Sequence, residues 1–384
     1  MDKLASQLED NGMIEDDNGP WGSQVVLAGK PGQVGVPWDQ YVWWFCISYQ
    51  RLNQITCTFE YPIPHCNDAV GEIPPWALYF LSMDLDAGYW QVELERQSRS
   101  KTAFFTLRGK KRWTVMPMGF LNSHAIFVAM MAVMGKQWDE QAVRQGIRFA
   151  GSKVIVDDIL AFAKTVEALL RYWCCMLEVL QFYRATVNLR KCQFLDPTSM
   201  EFVGVDTRPD GNAPARSKSE AFRKLGRPQT WSDLRMLVGT FGFYQHWLYN
   251  YELRIQPFRR LQRKEPRPGS LSFPEERKLF AAAWQEDAAV YNALLEELRE
   301  DILSEPVLAR PDPDRRFYLK TDWSKDGMGA VLLQAEDTPE ACKAEDEEAR
   351  GEPCSFDKTR AGLRLRPISF ISRKTTKSEA SMHS

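Results

Sequence analysis

The chain lacks any cysteine pattern that would build a metal site or a disulfide framework. Of its eight cysteines, Cys174 and Cys175 are adjacent within a helical pattern, and Cys57, His65 and Cys66 have no second ligand pair. Zinc ribbons and fingers need paired ligands at fixed spacing, so both are excluded, and the thiols read as free in a reducing compartment. There is no apolar run long enough to span a bilayer and no leader of the secretory kind. The expectation is an intracellular protein, cytoplasmic or nuclear, not secreted and off the membrane. An excess of charge of one sign is also missing, since 49 Lys and Arg stand against 51 Asp and Glu, for a formal net charge of −2. Disorder is excluded by a hydrophobic content of 44%, and 384 residues suffice for two or three domains.

The near-neutral total conceals segregation. Residues 96–138 carry eight Lys or Arg and no Asp or Glu, and residues 206–267 carry thirteen against six. The ends are acidic: residues 1–17 hold one lysine against six carboxylates, and residues 336–352 two basic residues against eight acidic ones. A basic middle between acidic ends suits a chain that lays its middle on a polyanion, although wet helix faces carry such charges too.

The most informative stretch is Lys153-Val154-Ile155-Val156-Asp157-Asp158-Ile159-Leu160-Ala161-Phe162. Two adjacent carboxylates between two apolar runs of β-branched character predict a hairpin with Asp157 and Asp158 at its turn. Such a turn either faces water, as Asp turns often do, or holds a divalent cation that offsets the mutual repulsion of the pair. A second strand-like run, Leu81-Ser82-Met83-Asp84, ends on another carboxylate. Three carboxylates converging from strand ends form a hard oxygen site suited to Mg²⁺. Two such ions roughly 4 Å apart activate an attacking hydroxyl and stabilise a leaving oxygen at phosphorus.

With these motifs in place, the chain resembles the reverse transcriptases of Gypsy-class LTR retrotransposons and retroviruses, from about Trp43 to the C-terminus. The matching segments are Tyr49-Gln50-Arg51-Leu52-Asn53, Tyr61-Pro62-Ile63-Pro64, Asp84 to Gln91, Lys101-Thr102-Ala103-Phe104, Val115-Met116-Pro117-Met118-Gly119-Phe120, Val154 to Leu160, Asn188 to Phe194 and Glu201-Phe202-Val203-Gly204, in order. The resemblance implies an α+β right-hand polymerase fold with fingers, a palm built on a ferredoxin-like sheet and a helical thumb, followed by an incomplete α/β RNase H-like domain. The expected boundaries are a disordered acidic tail over 1–24, partial fingers over 25–80, palm over 81–205, thumb over 206–268, a connecting helical segment over 269–305 and a truncated RNase H-like domain over 306–384.

Carried over residue by residue, the resemblance makes Asp84, Asp157 and Asp158 the catalytic ligands of two Mg²⁺ ions, with Mn²⁺ as a possible substitute. Leu85, Tyr89, Met118, Gly119 and Lys191 would meet the nucleotide. Tyr89 would sit beneath the sugar and reject a 2′-hydroxyl. Phe202, Val203 and Gly204 would hold the primer, and Asp322 matches the first metal-binding Asp of an RNase H fold. The implied partners are an RNA template, a DNA primer or RNA–DNA hybrid, deoxynucleoside triphosphates and the other domains of a retroelement polyprotein. RNase H cleavage is expected to be absent, because the matching Asp stands without its partners and the next catalytic Glu of the family would lie just past Ser384.

The basic run Arg108 to Arg112 is expected at a hairpin tip, facing either template phosphates or water. Asn122 or Ser123 should cap one helix, Thr165 a second, and Thr230 or Ser232 a third. Phe280 to Leu303 reads as one amphipathic helix, Val25 to Pro37 as loop, and Asp326 as a turn former. Some positions depart from the family. Trp44 and Gln50 stand where it usually has Arg, Met118 where it has Phe, His124 where it has Pro and Ile155 where it has Tyr. Tryptophan cannot replace a planar, charged phosphate clamp. Two functions therefore compete: an RNA-directed DNA polymerase, and a decayed or repurposed nucleic-acid-binding pseudo-polymerase.

Overall fold

The structure is a computed structural model that describes residues 2–29, 43–195, 199–267, 272–324, 327–336 and 364–376. The side chain of Trp44, the residue Asp326 and the acidic run beyond Glu336 lie outside the described residues. The chain divides into two compact units, one of residues 1–65 and 79–195, the other of residues 66–78 and 196–384. That division differs from the expected subdomains. It ends the first unit at Leu195 rather than at 205 and assigns residues 66–78 to the second.

The first unit opens with a helix, α1 (Asp2–Asp10), and a strand, β1 (Ile14–Asp16). The expectation of a disordered tail fails here. Ala5 is buried, and Leu8 and Ile14 share a core with Tyr49, Leu52, Phe104 and Trp113. Its acidic residues meet the basic run directly. β1 pairs antiparallel with β6 (Gly109–Trp113), which also pairs with β5 (Phe104–Thr106). Lys110 pairs with Asp17, Lys111 with Glu9 and Asp16, and Arg112 with Glu15 and Asp17. Lys110, Lys111 and Arg112 therefore lie within a strand and are neutralised, not displayed at a tip; the two-residue turn is Leu107-Arg108. Part of the expected loop is also a strand: β2 (Gln24–Gly29) pairs antiparallel with β3 (Trp43–Ser48).

The other half of this unit is a four-stranded sheet of order β7-β8-β4-β9, formed by β4 (Tyr79–Asp84), β7 (Ala150–Ile155), β8 (Asp158–Ala163) and β9 (Gln193–Phe194). Two helices, α3 (Ser123–Arg144) and α4 (Val166–Phe182), cover it; α2 (Gln50–Ile55) precedes them. Phe127, Met131, Met134 and Trp138 of α3 meet Leu169, Tyr172, Met176 and Leu180 of α4 over Leu81, Met83, Ile159 and Ala161. Burying these side chains contributes about 1.5–3 kcal/mol each, which holds the strand ends rigid. Ile126, on α3, is exposed. Thr165 caps α4 by accepting from the Ala168 amide, as its position predicts. Asn122 precedes α3 without capping it; its side chain bonds Cys57 and Phe59.

In the second unit, β10 (Met200–Phe202), β11 (Val205–Arg208) and β12 (Gly211–Pro214) form an antiparallel meander. Helices α5 (Arg216–Lys224), α6 (Trp231–Phe243) and α7 (Tyr251–Gln262) follow. Thr230 and Asp233 form a reciprocal capping box at the start of α6. The segment expected as one helix is two, α8 (Phe273–Gln285) and α9 (Ala288–Leu303), with Ser272 and Glu275 boxing the first. Three antiparallel strands end the described chain: β13 (Tyr318–Trp323), β14 (Gly327–Ala335) and β15 (Leu365–Lys374). They are anchored within the unit. Ser372 accepts from the Glu252 amide at the N-terminus of α7, His246 bonds Ser369, and Tyr249 stacks edge-on against Phe370.

Candidate active site

Asp84 is the last residue of β4 and lies directly across from Asp158, the first residue of β8. Facing residues of an antiparallel pair hold their Cβ atoms roughly 4.5–5.5 Å apart, so these two carboxylates share one edge of the sheet. Asp157 is one residue away in the two-residue turn Val156-Asp157, closed by the Ile155–Asp158 pair. Val156 adopts φ +59°, a left-handed conformation that a β-branched residue rarely takes. The packed strands on both sides impose it, and strain of this kind is characteristic of turns that aim a side chain. Asp157 and Asp158 are exposed, while the Asp84 side chain is 16% accessible.

Lys191 completes the cluster. Its ammonium lies 3.1 Å from both carboxylate oxygens of Asp84. The lysine is held above its ordinary pKa, first by the hydrogen bond to Asp84, then by that residue's charge, and further by Asp157 and Asp158. All three carboxylates thus act on one point, and a cation already occupies it. Among the described residues no three His, Cys, Asp or Glu side chains stand gathered as a ready-made metal cage. The donor set is nevertheless all hard carboxylate oxygen, the chemistry that Mg²⁺ or Mn²⁺ takes.

The loop below the cluster is built from backbone contacts. The amide of Asn188 donates to the Asp84 carbonyl at 2.8 Å, and the Asn188 carbonyl accepts from Lys191 and Cys192. Leu85, a buried residue, bridges to Val187. Gln91 ties the same loop down, donating to the carbonyls of Asp86 and Thr186 and accepting from the Thr186 amide. Asn188 and Gln91 were not singled out from sequence as functional. Each lies within a segment that carries the resemblance, and that was their only signal.

Tyr89 follows on a short helical turn, its ring packed against Phe127 and its hydroxyl 3.0 Å from His124 Nδ1. Burial raises the Tyr89 pKa, and the charge of Asp157 raises it further. His124 is exposed at the start of α3, and its contact with Tyr89, 35 residues away in sequence, is one the sequence could not reveal. Met118 is exposed, and Gly119 takes φ +81°, which favours glycine at that position. Asn53 locks this turn, donating to the Gly119 carbonyl and accepting from the Leu121 amide.

The remaining candidates belong to the second unit. Phe202 is buried as a core residue, so only Val203 and Gly204 form the β10–β11 turn, with φ of +45° and +83°. The Tyr244 hydroxyl pins that turn through the Gly204 carbonyl at 2.9 Å. Asp322 lies on the exposed β13, and its carboxylate accepts from the Tyr249 hydroxyl at 3.4 Å.

An antiparallel sheet backed by two helices, with carboxylates at paired register positions on one edge, is the architecture of a nucleic-acid polymerase palm. Comparison with known proteins agrees. Residues 44–207 match the family described as reverse transcriptase (RNA-dependent DNA polymerase), and residues 289–344 match the RNase H-like domain found in reverse transcriptase. Over residues 44–207 the chain is similar to the reverse transcriptase family. It is 28% identical over 335 residues to the retrovirus-related Pol polyprotein from transposon 297 of Drosophila melanogaster, covering 87% of this chain and 29% of that protein. To the corresponding polyprotein from transposon opus of the same organism it is 26% identical, covering 99% of this chain and 33% of the relative. The chain thus spans about a third of the length of these curated relatives. It shares the fold of a foamy viral protease-reverse transcriptase solved with double-stranded DNA, with a TM-score of 0.74 at 19% identity, covering 99% of this chain and 56% of that one. Among the described residues no helix is long and apolar enough to cross a membrane.

Proposed function

We propose that the chain is the RNA-directed DNA polymerase part of a retrotransposon Pol polyprotein, extending a primer 3′-hydroxyl with deoxynucleotides along an RNA template. The observation that carries this reading is the placement of Asp84 across from Asp158, with a cation held against Asp84 in the field of all three carboxylates. Asp84, Asp157 and Asp158 would hold two Mg²⁺ ions, or Mn²⁺ in their place. When bound, these ions supply activation of the hydroxyl and stabilisation of the leaving oxygen at phosphorus.

The protein's own contribution is position. The paired strands keep two carboxylates at fixed spacing, and the strained turn presents the third. Tyr89, braced by Phe127 and His124, sets a rigid ring where a sugar bearing a 2′-hydroxyl would clash. Leu85, Met118 and Gly119 offer backbone and apolar contact to the nucleotide, and Lys191 a charge for its phosphates. The pinned turn Val203-Gly204 is suited to holding the primer strand. RNA template, primer or RNA–DNA hybrid, deoxynucleoside triphosphates and the remaining polyprotein domains are the partners of this reading, and no membrane is involved.

The alternative, nucleic-acid binding without turnover, is favoured by Trp44 and Gln50 in place of the family's arginines. Primer extension on a homopolymer RNA template with Mg²⁺ separates the two. The expected result is extension that Asp157→Asn abolishes while leaving duplex binding largely intact. Duplex binding with no extension by the unaltered chain would overturn the polymerase reading.

A further inference from the structure

We propose that Lys191 is a resident counter-ion of the carboxylate cluster, occupying the position of a divalent cation against Asp84, so that an entering cation must displace it. The inference rests on the polymerase reading of the same cluster. Its basis is that the lysine is delivered there by construction. Strand β4 ends at Asp84, whose carbonyl accepts from the Asn188 amide. The Asn188 side-chain oxygen accepts from the Arg190 amide, and its carbonyl from Lys191. This closes a tight four-residue turn, Asn188 to Lys191, tied to the Asp84 backbone. The Nζ then reaches both Asp84 oxygens symmetrically, at 3.1 Å each.

Three carboxylates on one sheet edge repel one another, and the partly buried Asp84 most needs a partner. A single ammonium satisfies Asp84 but carries only one charge against three. A divalent ion draws in more than one carboxylate and competes on favourable terms. Lys191 can yield because its side chain is 61% exposed and ends on a flexible four-carbon stem, while its anchor is the backbone turn. Once displaced, the ammonium stays tethered beside the cluster, where an anionic phosphate is its natural partner. Entry of the cation and release of a positive charge toward a triphosphate are thereby coupled through one side chain.

The test is Mn²⁺ binding to the full chain, read by electron paramagnetic resonance of the free ion, together with thermal melting. The expected result is that Lys191→Met lowers the half-saturating Mn²⁺ concentration by roughly threefold to tenfold, the range for a partly exposed ion pair. The same variant should melt lower than the unaltered chain without metal and regain the difference when Mn²⁺ is added, since the cation then replaces the lost ammonium. Adding Asp84→Asn to Lys191→Met should remove the gain in affinity. Equal Mn²⁺ affinity in the unaltered chain and Lys191→Met would overturn the inference while leaving the metal site standing. So would a gain that survives Asp84→Asn. Failure of both proteins to bind Mn²⁺ at millimolar concentration would instead overturn the metal reading of the site, and this inference with it.

Discussion

At the scale of single residues, the site combines strained positions, Val156 among them, with several that are over-determined. Val156 is held at a left-handed φ between two packed strands, whereas Tyr89, Asn188 and Gln91 each make contacts that fix their loops. Trp44 is the residue with the clearest consequence for activity. It occupies the position where the family usually has a phosphate-clamping arginine, and it presents no charge. Trp44→Arg should lower the deoxynucleotide concentration needed for half-maximal extension. A hydrogen bond to a charged group contributes about 1.5–3 kcal/mol, so a gain of roughly tenfold or more is expected. Steady-state extension kinetics on both proteins are the measurement. An unchanged requirement would mean that another side chain already clamps the phosphate.

The informative element is the N-terminal pair α1 and β1, whose acidic side chains fasten it to the basic strand β6. Asp17 is the centre of this contact, with no side-chain exposure and both Lys110 and Arg112 against it. Burial alone would push its carboxyl up. The nearby Ser100 hydroxyl, Lys110 and the Gly19 amide outweigh that and bring it below its ordinary value. A depressed folded pKa means that the contact adds stability above the unfolded carboxyl pKa, about 3.9, and loses it as pH falls through the folded value. Lys111 has the opposite sign. Raised by Asp16 first and then Glu9, it stabilises at pH below its unfolded value and ceases to do so as pH rises through the folded one. Asp17→Asn should therefore be less stable at neutral pH by about 1–3 kcal/mol, the cost of leaving buried partners unsatisfied. Chemical denaturation across pH checks this: the gap should close below about pH 4. A gap that stays constant into acid would rule out the ionised carboxylate as the source.

Across the whole molecule, the C-terminal sheet behaves as part of the second unit's framework. Ser372 supplies the capping oxygen that Asn250 does not provide for α7, and β15 packs along that helix. Among the described residues Asp322 is met by the Tyr249 hydroxyl. RNase H chemistry needs several carboxylates around its metals, because one cannot position two ions. The chain should therefore leave the RNA strand of an RNA–DNA hybrid intact in Mg²⁺ or Mn²⁺. Cleavage that vanishes in Asp322→Asn would refute this and show that the chain supplies the missing ligands itself.

Much of the central architecture was legible in the amino-acid order. The Asp157-Asp158 hairpin, the Asp84 strand and the Thr165 and Thr230 caps are local, set by side-chain period and by hydrogen bonds within a few residues. The misreadings were of pairings distant along the chain. Residues 2–24 looked like a charged tail because their partners, Lys110 to Arg112, lie about a hundred residues away. The same holds for His124 against Tyr89 and for Ser372 against α7. Lys191 could be nominated from its motif, but its place on Asp84 required β4 and the Asn188 turn to meet. Sequence by itself determined which strands carry the carboxylates, since periodicity and turn chemistry act over a few residues. Only the tertiary structure decided which charges cancel and where the resident cation sits, because Coulomb pairing depends on distances that chain order does not encode.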